Sequence, residues 1–377
     1  MPNAPLLDPA DFRITPGIVH VCAGGETPFL HRHDATLRRY AEDKSSGEPG
    51  RTAMGAQVER ARTATARLWQ VAPDEIGFVS TVADGVALLA ESIDWREGDS
   101  IVADANEYPS VVAPFALQRR PPVRIRLARG AAADRLAALV DERTRVIGVS
   151  CVSYLTGERF DLAPLRQAAD AVGALLVVDF TQAAGWLPIA ASVADFAFSA
   201  CYKWLLGMTG TAIAYWNRQR QPHWAPATAG WHSIAPVSRP DYAAPLALRD
   251  DALRFTRGNQ AHGPVYVLAE ALDYLAAHDA SALRAHVGAL TVRLIEGLAQ
   301  AGIPVTTPAD PARHGANVCL DSPSAGALSE ALRARGILAW NGHGRLRFSL
   351  HGYNSAGDVD RILTAMRELW RTGSSSF

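Results

Sequence analysis

The amino-acid sequence predicts an α/β fold, a mostly parallel sheet covered by helices and followed by a smaller C-terminal α/β domain. Three observations carry this. Short apolar runs alternate with amphipathic stretches through most of the chain. Several runs, Ala174-Leu-Leu-Val-Val-Asp179 above all, are apolar on both faces, as strands sandwiched between helices are. A proline-rich stretch then breaks the rhythm, and long amphipathic helices follow it.

In chain order, residues 76–79 read as a strand and 84–93 as a helix, then 100–104 as a strand and 110–117 as a short helix. Residues 123–127 form a strand, 134–140 a helix and 145–150 a strand. Leu162, Leu165, Ala169 and Val172 make a helical stripe before the strand at 174–179, and 195–198 and 211–215 are two further strands. Residues 219–248 hold five prolines together with Trp224, Trp231 and Tyr242, and read as a long loop crossing to a second domain. Helices at 262–277 and 281–301 follow, then strands at Val305, 317–320 and 346–349. A last helix starts at Ser355, its N-cap, with Asp358 at the third position, and runs to about Arg371. The expected division is a large domain over 15–248 and a small one over 249–377, joined by residues 1–14; the tail 372–377 is low in complexity.

The 377 residues carry 37 Lys+Arg against 38 Asp+Glu, a net charge of -1, with no basic run, which argues against a dedicated nucleic-acid binder. At 48% hydrophobic and 20% charged, the chain is too apolar for disorder. No apolar stretch reaches the ~18 residues of a membrane span, and residues 1–12 resemble neither a signal nor a transit peptide. The widely spaced Cys22, Cys151, Cys201 and Cys319 suit a reducing cytoplasm and make no zinc signature. His31 and His33 are two apart and share no helix face, so metal binding is not expected there.

Only Lys44 and Lys203 are lysines; every other cation is arginine. Arginine replaces lysine where only charge is needed, but not where an amine must lose its proton. Lys44 lies in a polar stretch. Lys203, in Cys201-Tyr-Lys-Trp-Leu-Leu-Gly207, follows a predicted strand among apolar and aromatic residues, where desolvation makes an amine nucleophilic; a snorkelling surface lysine is the bland alternative. Asp179 ends an apolar strand, at the carboxyl edge where such sheets bind ligands, and is either a partner for a protonated ring nitrogen or a turn residue before Thr181. Arg345 and Arg347 alternate with Leu346 and Phe348, so Arg347 either forks a substrate carboxylate or sits on a plain surface strand. A ring-nitrogen carboxylate and a Schiff-base lysine are the two protein groups that pyridoxal 5′-phosphate needs.

The stretch Val177-Val-Asp-Phe-Thr-Gln-Ala-Ala-Gly185, the Cys201 to Gly207 segment, and Arg347-Phe-Ser-Leu-His-Gly-Tyr-Asn354 with Asp358 resemble the class V aminotransferase family of fold-type-I pyridoxal-phosphate enzymes. That family includes cysteine desulfurases, kynureninase and isopenicillin-N-epimerase-like proteins. The resemblance runs from about Cys22 to the last helix. It implies a mostly parallel, seven-stranded-type sheet and a homodimer with shared active sites.

It also implies residue roles. Lys203 matches the Schiff-base lysine and Asp179 the pyridine-nitrogen partner. Gln182 matches the glutamine that contacts the ring hydroxyl, and Tyr202 a phosphate contact. Thr81, Val82 and Ala83 match the phosphate-cradling turn, where a helix N-terminus suits an anion. Tyr108 falls at the position stacking on the cofactor ring, and Arg347 at the carboxylate arginine. Cys22 lies in a small-residue segment lining the site, and Trp231 and His232 are candidates for shaping the substrate pocket.

Several positions depart from the pattern. Tyr154 stands where desulfurases carry an Asn, Ala83 replaces the usual Thr, and Asn259 stands where the partner subunit lends a threonine to the phosphate. No cysteine lies between Gly336 and Arg347, and Cys319 reads as a core thiol. Desulfurase chemistry is therefore disfavoured at this point. The resemblance implies reaction of an amino acid through an external aldimine and a Cα-deprotonated quinonoid, with an aminotransferase-type outcome. A β-lyase (C–S or kynureninase-like) or epimerase is the alternative, and a non-catalytic cofactor-binding homologue is the reading from another class.

Overall fold

The structure is a computed structural model that describes residues 4–118, 121–129, 133–236 and 241–373. Of the features expected above, Pro240 and residues 374–377 of the tail lie outside the described residues. The N-terminal part contains strand β1 (Val19–Val21) and helices α1 (His33–Ser45) and α2 (Glu48–Trp69). Next come β2 (Ile76–Val79), α3 (Val82–Ser92), β3 (Ser100–Asp104), α4 (Pro109–Ala116), β4 (Arg124–Ala128) and α5 (Ala133–Ala137). The chain continues with β5 (Thr144–Ser150), α6 (Leu162–Val172), β6 (Leu175–Asp179), β7 (Phe196–Ala200) and β8 (Ala212–Trp216). After the long loop come α7 (His262–Ala276), α8 (Ala280–Gln300), β9 (Asn317–Asp321), α9 (Ala325–Arg333), β10 (Ile337–Gly342), β11 (Arg345–Ser349) and α10 (Ala356–Gly373).

Local chemistry sets the boundaries. The Thr81 hydroxyl caps α3 by accepting from the Asp84 N–H, and Asp161 caps α6 through Ala163 N. Helix α6 stops at Gly173, whose φ of 72° is the left-handed conformation that a helix C-terminus favours. At α10, Asp358 N donates to Ser355 Oγ while Ser355 N donates to Asp358 Oδ2, the reciprocal cap the sequence predicts.

The seven strands of the large sheet run in the order β2-β8-β7-β6-β5-β3-β4. Only β8 runs against its neighbours; all the other pairings are parallel. The central strands are buried on both faces, with Leu176, Val178, Ile147 and Phe198 fully inaccessible. Each such side chain contributes roughly 1.5–3 kcal/mol relative to exposure. A second sheet, in the order β1-β10-β11-β9, shares a hydrophobic core with α8 and α10.

Two differences from the expected layout have physical causes. Val305 is not in a strand: Pro304 removes a backbone donor beside it, and Gly302 turns the chain at φ 71°. The layers also do not follow the division at 248/249. Strand β1 leaves the large sheet's side and pairs in parallel with β10, Val19 opposite Ile337. Helix α7 packs on α1 and α2, and Phe255 lies in the core with Phe196 and Phe198.

Candidate active site

Because β2, β3, β5, β6 and β7 point the same way, their carboxyl ends share one edge. Thr81, Tyr108, Tyr154, Asp179 and Lys203 all leave the sheet there, as ligand-binding groups do in open α/β sheets. Ser150 and Asp179, the last residues of β5 and β6, are register partners.

Lys203 sits in a tight turn after β7. Thr27 Oγ1 donates to the Lys203 carbonyl at 2.9 Å, and Leu206 N donates to the same oxygen. Leu206 adopts φ 59°, a left-handed conformation that costs a non-glycine residue about 1–2 kcal/mol, so packing holds the turn in place. The side chain is 7% exposed, and its ammonium makes no hydrogen bond or ion pair among the described residues. Nζ instead faces the rings of Tyr108 and Tyr202, each at 5.4 Å. Burial is the main cause that lowers its pKa to about 8; the Arg347 charge adds, while Asp179 and Glu26 oppose. Relative to an ordinary lysine, that raises the free-amine fraction at neutral pH roughly three-hundredfold.

Asp179 is buried, and burial raises its carboxyl while Thr181 and Lys203 pull it back. Its Oδ1 accepts from Thr181 N at 2.8 Å. The turn role and the strand-end role thus belong to the same residue.

Arg347 lies on β11, 3% exposed. Its Nη1 donates to the Tyr154 carbonyl at 2.9 Å, and its guanidinium lies 4.4 Å from the Trp340 ring centroid. Its Nε is buried without a partner, an arrangement that costs about 1–3 kcal/mol unless an acceptor arrives. A carboxylate is the acceptor a guanidinium fork matches. The N-terminal segment closes over this end: a Cβ on Gly25 would stand 3.3 Å from Trp340 and 3.6 Å from Arg347 Nη2. Cys22, on the same segment, donates its thiol to the Leu338 carbonyl, and burial pushes it up to about 11. Tyr154 stands edge-on to Tyr108 at 5.0 Å and to His343 at 6.2 Å.

Gln182 is buried under this edge and ties three segments together. Its Nε2 donates to Gly24 O, while its Oε1 accepts from Trp204 Nε1 and Asn317 Nδ2. At the start of α3, Val82 and Ala83 are the first two helical residues, whose N–H groups have no intrahelical acceptor. The Thr81 hydroxyl is spent on the cap, and Asp84 places a carboxylate in the same turn.

Trp231, His232 and Asn259 are not brought to Lys203 within the chain. Trp231 is 58% exposed, packs edge-on against His232 and reaches Gly258. Asn259 lines a cavity of about 350 Å³ with Ser80, Asp84, Arg257 and Gln260. The long loop carries Trp231 to this side because Ile234 bridges to Leu248 and the His232 N–H to Arg257 O.

Sequence reasoning missed Glu107. It accepts from Ser150 N at 2.7 Å and from Tyr108 N at 2.6 Å. Burial, with Asp179 nearby, raises it to about 7 against those bonds. Its position beside the predicted stacking residue was the available signal.

His351 links the second sheet to the lysine turn. Its Nε2 donates to Trp204 O at 3.0 Å, its Nδ1 accepts from Gly352 N, and its ring stacks on Trp204 and Tyr353. Burial lowers its pKa to about 4. The unfolded chain then takes up this proton before the folded one does. The contribution is fully present above about pH 6.5 and is lost as pH falls towards 4, on the order of 3 kcal/mol at most. Denaturant midpoints measured from pH 7 to 4 should fall across that window and fall less in His351→Gln; equal slopes would remove His351 from the account.

A buried, uncharged-prone amine, a strand-end carboxylate and a buried arginine with an unpartnered Nε form a set suited to amine chemistry. A profile of the family described as Aminotransferase class-V matches residues 31–362, and the chain belongs to that family. Its fold is that of the fold-type-I pyridoxal-phosphate enzymes, and pyridoxal 5′-phosphate is its cofactor. The residues fit that group: Lys203 Nζ is unpaired beside the Tyr108 ring, Asp179 is close enough to act on its charge, and α3 starts at the same carboxyl edge of the sheet.

A "Probable cysteine desulfurase" from Methanothermobacter thermautotrophicus is 28% identical over 226 residues, 58% of this chain and 56% of that protein. This chain thus spans little more than half the length of that relative. A "Probable cysteine desulfurase" from Pyrococcus abyssi is 24% identical over 374 residues, 93% of this chain and 92% of that protein. The apo structure of a cysteine desulfurase from Thermococcus onnurineus NA1 superimposes with a TM-score of 0.87 at 20% identity, covering 97% of each chain. These likenesses correct one expectation. The lack of a cysteine between Gly336 and Arg347 does not set the chain apart from desulfurases, since proteins so named are among its relatives along nearly its whole length. That loop is one short segment, whereas the likeness rests on the whole fold.

No helix among the described residues is long and apolar enough to cross a membrane.

Proposed function

We propose that this protein acts on an α-amino acid by moving its Cα proton, with an aminotransferase-type outcome. The observation that carries the reading is a pair of buried cations close enough for one to act on the other's charge: an unpaired amine on Lys203 with its pKa lowered to about 8, and Arg347 on the smaller sheet, whose Nε has no acceptor. Arg347 binds the α-carboxylate bidentately and so orients the Cα–H bond. Lys203 Nζ would take the Cα proton and hold it for transfer. Asp179 would keep the pyridine nitrogen protonated, Gln182 would serve the ring hydroxyl and Tyr108 would stack on the ring. Tyr154 lies against Tyr108 at that edge. The backbone at Thr81, Val82 and Ala83, together with Tyr202, would hold the phosphate. Pyridoxal phosphate, when bound, supplies the electron sink for the deprotonated carbon.

In this reading the protein is a cytoplasmic homodimer. Asn259 serves the partner's phosphate, Trp231 and His232 shape the partner's pocket, and Cys22 lines the chain's own. Cleavage on the β side, as at a C–S bond, is the second reading, favoured by the relatives named as cysteine desulfurases. It shares the first proton transfer and differs in what leaves afterwards.

One experiment separates them. Purified holoenzyme is given a panel of amino acids with and without a keto-acid acceptor, and keto acid, sulfide and ammonia are scored together. Stoichiometric amino transfer supports the first reading. Pyruvate with ammonia, or sulfide, supports the second. A cofactor-loaded protein that turns over none of the panel overturns both.

A further inference from the structure

Glu107 has no place in the mechanism so far, yet it is the best-anchored carboxylate at the site. It follows β3 in Asn106-Glu107-Tyr108. Its two oxygens divide two backbone donors: Oε2 accepts from Ser150 N at 2.7 Å and Oε1 from Tyr108 N at 2.6 Å. The Ser150 hydroxyl also bonds to Oε1. Ser150 is the last residue of β5 and the register partner of Asp179. A side chain from the β3 loop is thus stitched to the strand beside the one that ends in Asp179, and the next residue is Tyr108. The Tyr108 ring stands 5.4 Å from Lys203 Nζ and 5.0 Å from the Tyr154 ring.

Both backbone donors are fixed in direction, so the group between them must offer two acceptors. A carboxyl does so in either protonation state. When neutral, it keeps an oxygen for each N–H and turns its own proton to the Ser150 hydroxyl, which can accept as well as donate. The other ionisable groups that face it, Asp179 and Tyr154, make no hydrogen bond to it. A glutamine has one oxygen and one NH2 group, and would set a donor against one of the two N–H groups.

We propose that Glu107 is a positioning residue: by tying the Tyr108 backbone to Ser150 it fixes the Tyr108 ring over Lys203, where the cofactor ring is held. The inference rests on the pyridoxal-phosphate reading of the site, and the two fail differently. A wild-type protein that takes up no pyridoxal phosphate ends that reading.

The test of Glu107 is a double-mutant cycle on the holoenzyme with Glu107→Gln and Tyr108→Ala, read as cofactor Kd and as the visible circular dichroism of the bound cofactor. Glu107→Gln alone should weaken cofactor binding about tenfold and reduce the dichroism, the scale of one broken hydrogen bond with an unpaired donor left behind. In the Tyr108→Ala background the same change should add little, because Glu107 acts through that ring. Ser150→Ala, which keeps both backbone donors, should resemble wild type. Additive effects of the two changes, or a Ser150→Ala protein as impaired as Glu107→Gln, overturn the proposal. Hydrogen exchange on unsubstituted protein gives a check that no folding defect can blur: the Tyr108 amide should be protected, and exchange at the rate of a free loop amide overturns the proposal equally.

Discussion

Lys203→Ala is expected to lower turnover by about a thousandfold or more, because in the proposed reading one side chain both carries the cofactor and moves the proton. Borohydride treatment, which should fix pyridoxal phosphate to wild type, should leave the variant free of covalently bound cofactor. Lys44→Ala is the matched control. Lys44 is exposed on α1, and its loss should change neither readout. Peptide mapping after borohydride gives the decisive comparison: label on Lys44 in wild type, or label surviving in Lys203→Ala, would contradict the assignment. The effect has a physical origin in the burial of the amine. An exposed lysine at neutral pH is a poor nucleophile whatever its neighbours, whereas this one is pushed towards its neutral form by a dry setting and a nearby guanidinium.

The second large effect is expected at Arg347. Arg347→Ala should cost ~2–5 kcal/mol in kcat/KM for α-amino acids, about thirtyfold or more, since the carboxylate it is proposed to bind is then left unpaired in a closed site. Arg347→Lys should recover little of this. A lysine keeps the charge but not the fork, and the fork divides its work between the Tyr154 carbonyl and an open Nε. Steady-state kinetics with an amino acid and with its decarboxylated amine separate the causes. Arg347→Ala should penalise the amino acid and leave the amine nearly unchanged. Equal losses on both would point to a packing defect around Trp340 instead of a carboxylate contact.

The large sheet was legible because its rules are local. Residues 100–104 and 76–79 are apolar runs bounded by turn residues, and both are strands with those bounds. The same holds for the reciprocal cap at Ser355 and Asp358, which needs only residues three apart. Features made by distant pairing were not legible. Strand β1 is three residues long and exists because Val19 to Val21 find β10 more than three hundred residues away. Glu107 lies in the short stretch between β3 and α4, and its anchoring is decided by Ser150 at the end of another strand. Trp231 and His232 were read as pocket residues from their type alone; their positions depend on how the long loop returns to Leu248 and Arg257. Lys203 and Asp179 stood out because residue chemistry and strand-end position agreed before any contact was known, and Arg347 because an arginine alternated with apolar residues on a predicted strand.

The buried knot around Gln182 also has a consequence for how this molecule comes apart. Gln182 holds Gly24 and Asn317, Asn317 accepts from Ser349, and His351 holds the Trp204 carbonyl. Peeling the smaller sheet away would strand each of these groups at about 1–3 kcal/mol apiece, far from water until the separation is complete. The two sheets therefore have no separate melting transitions to offer. They unfold as one cooperative unit, and a heat-capacity trace of the chain should show a single peak in place of two.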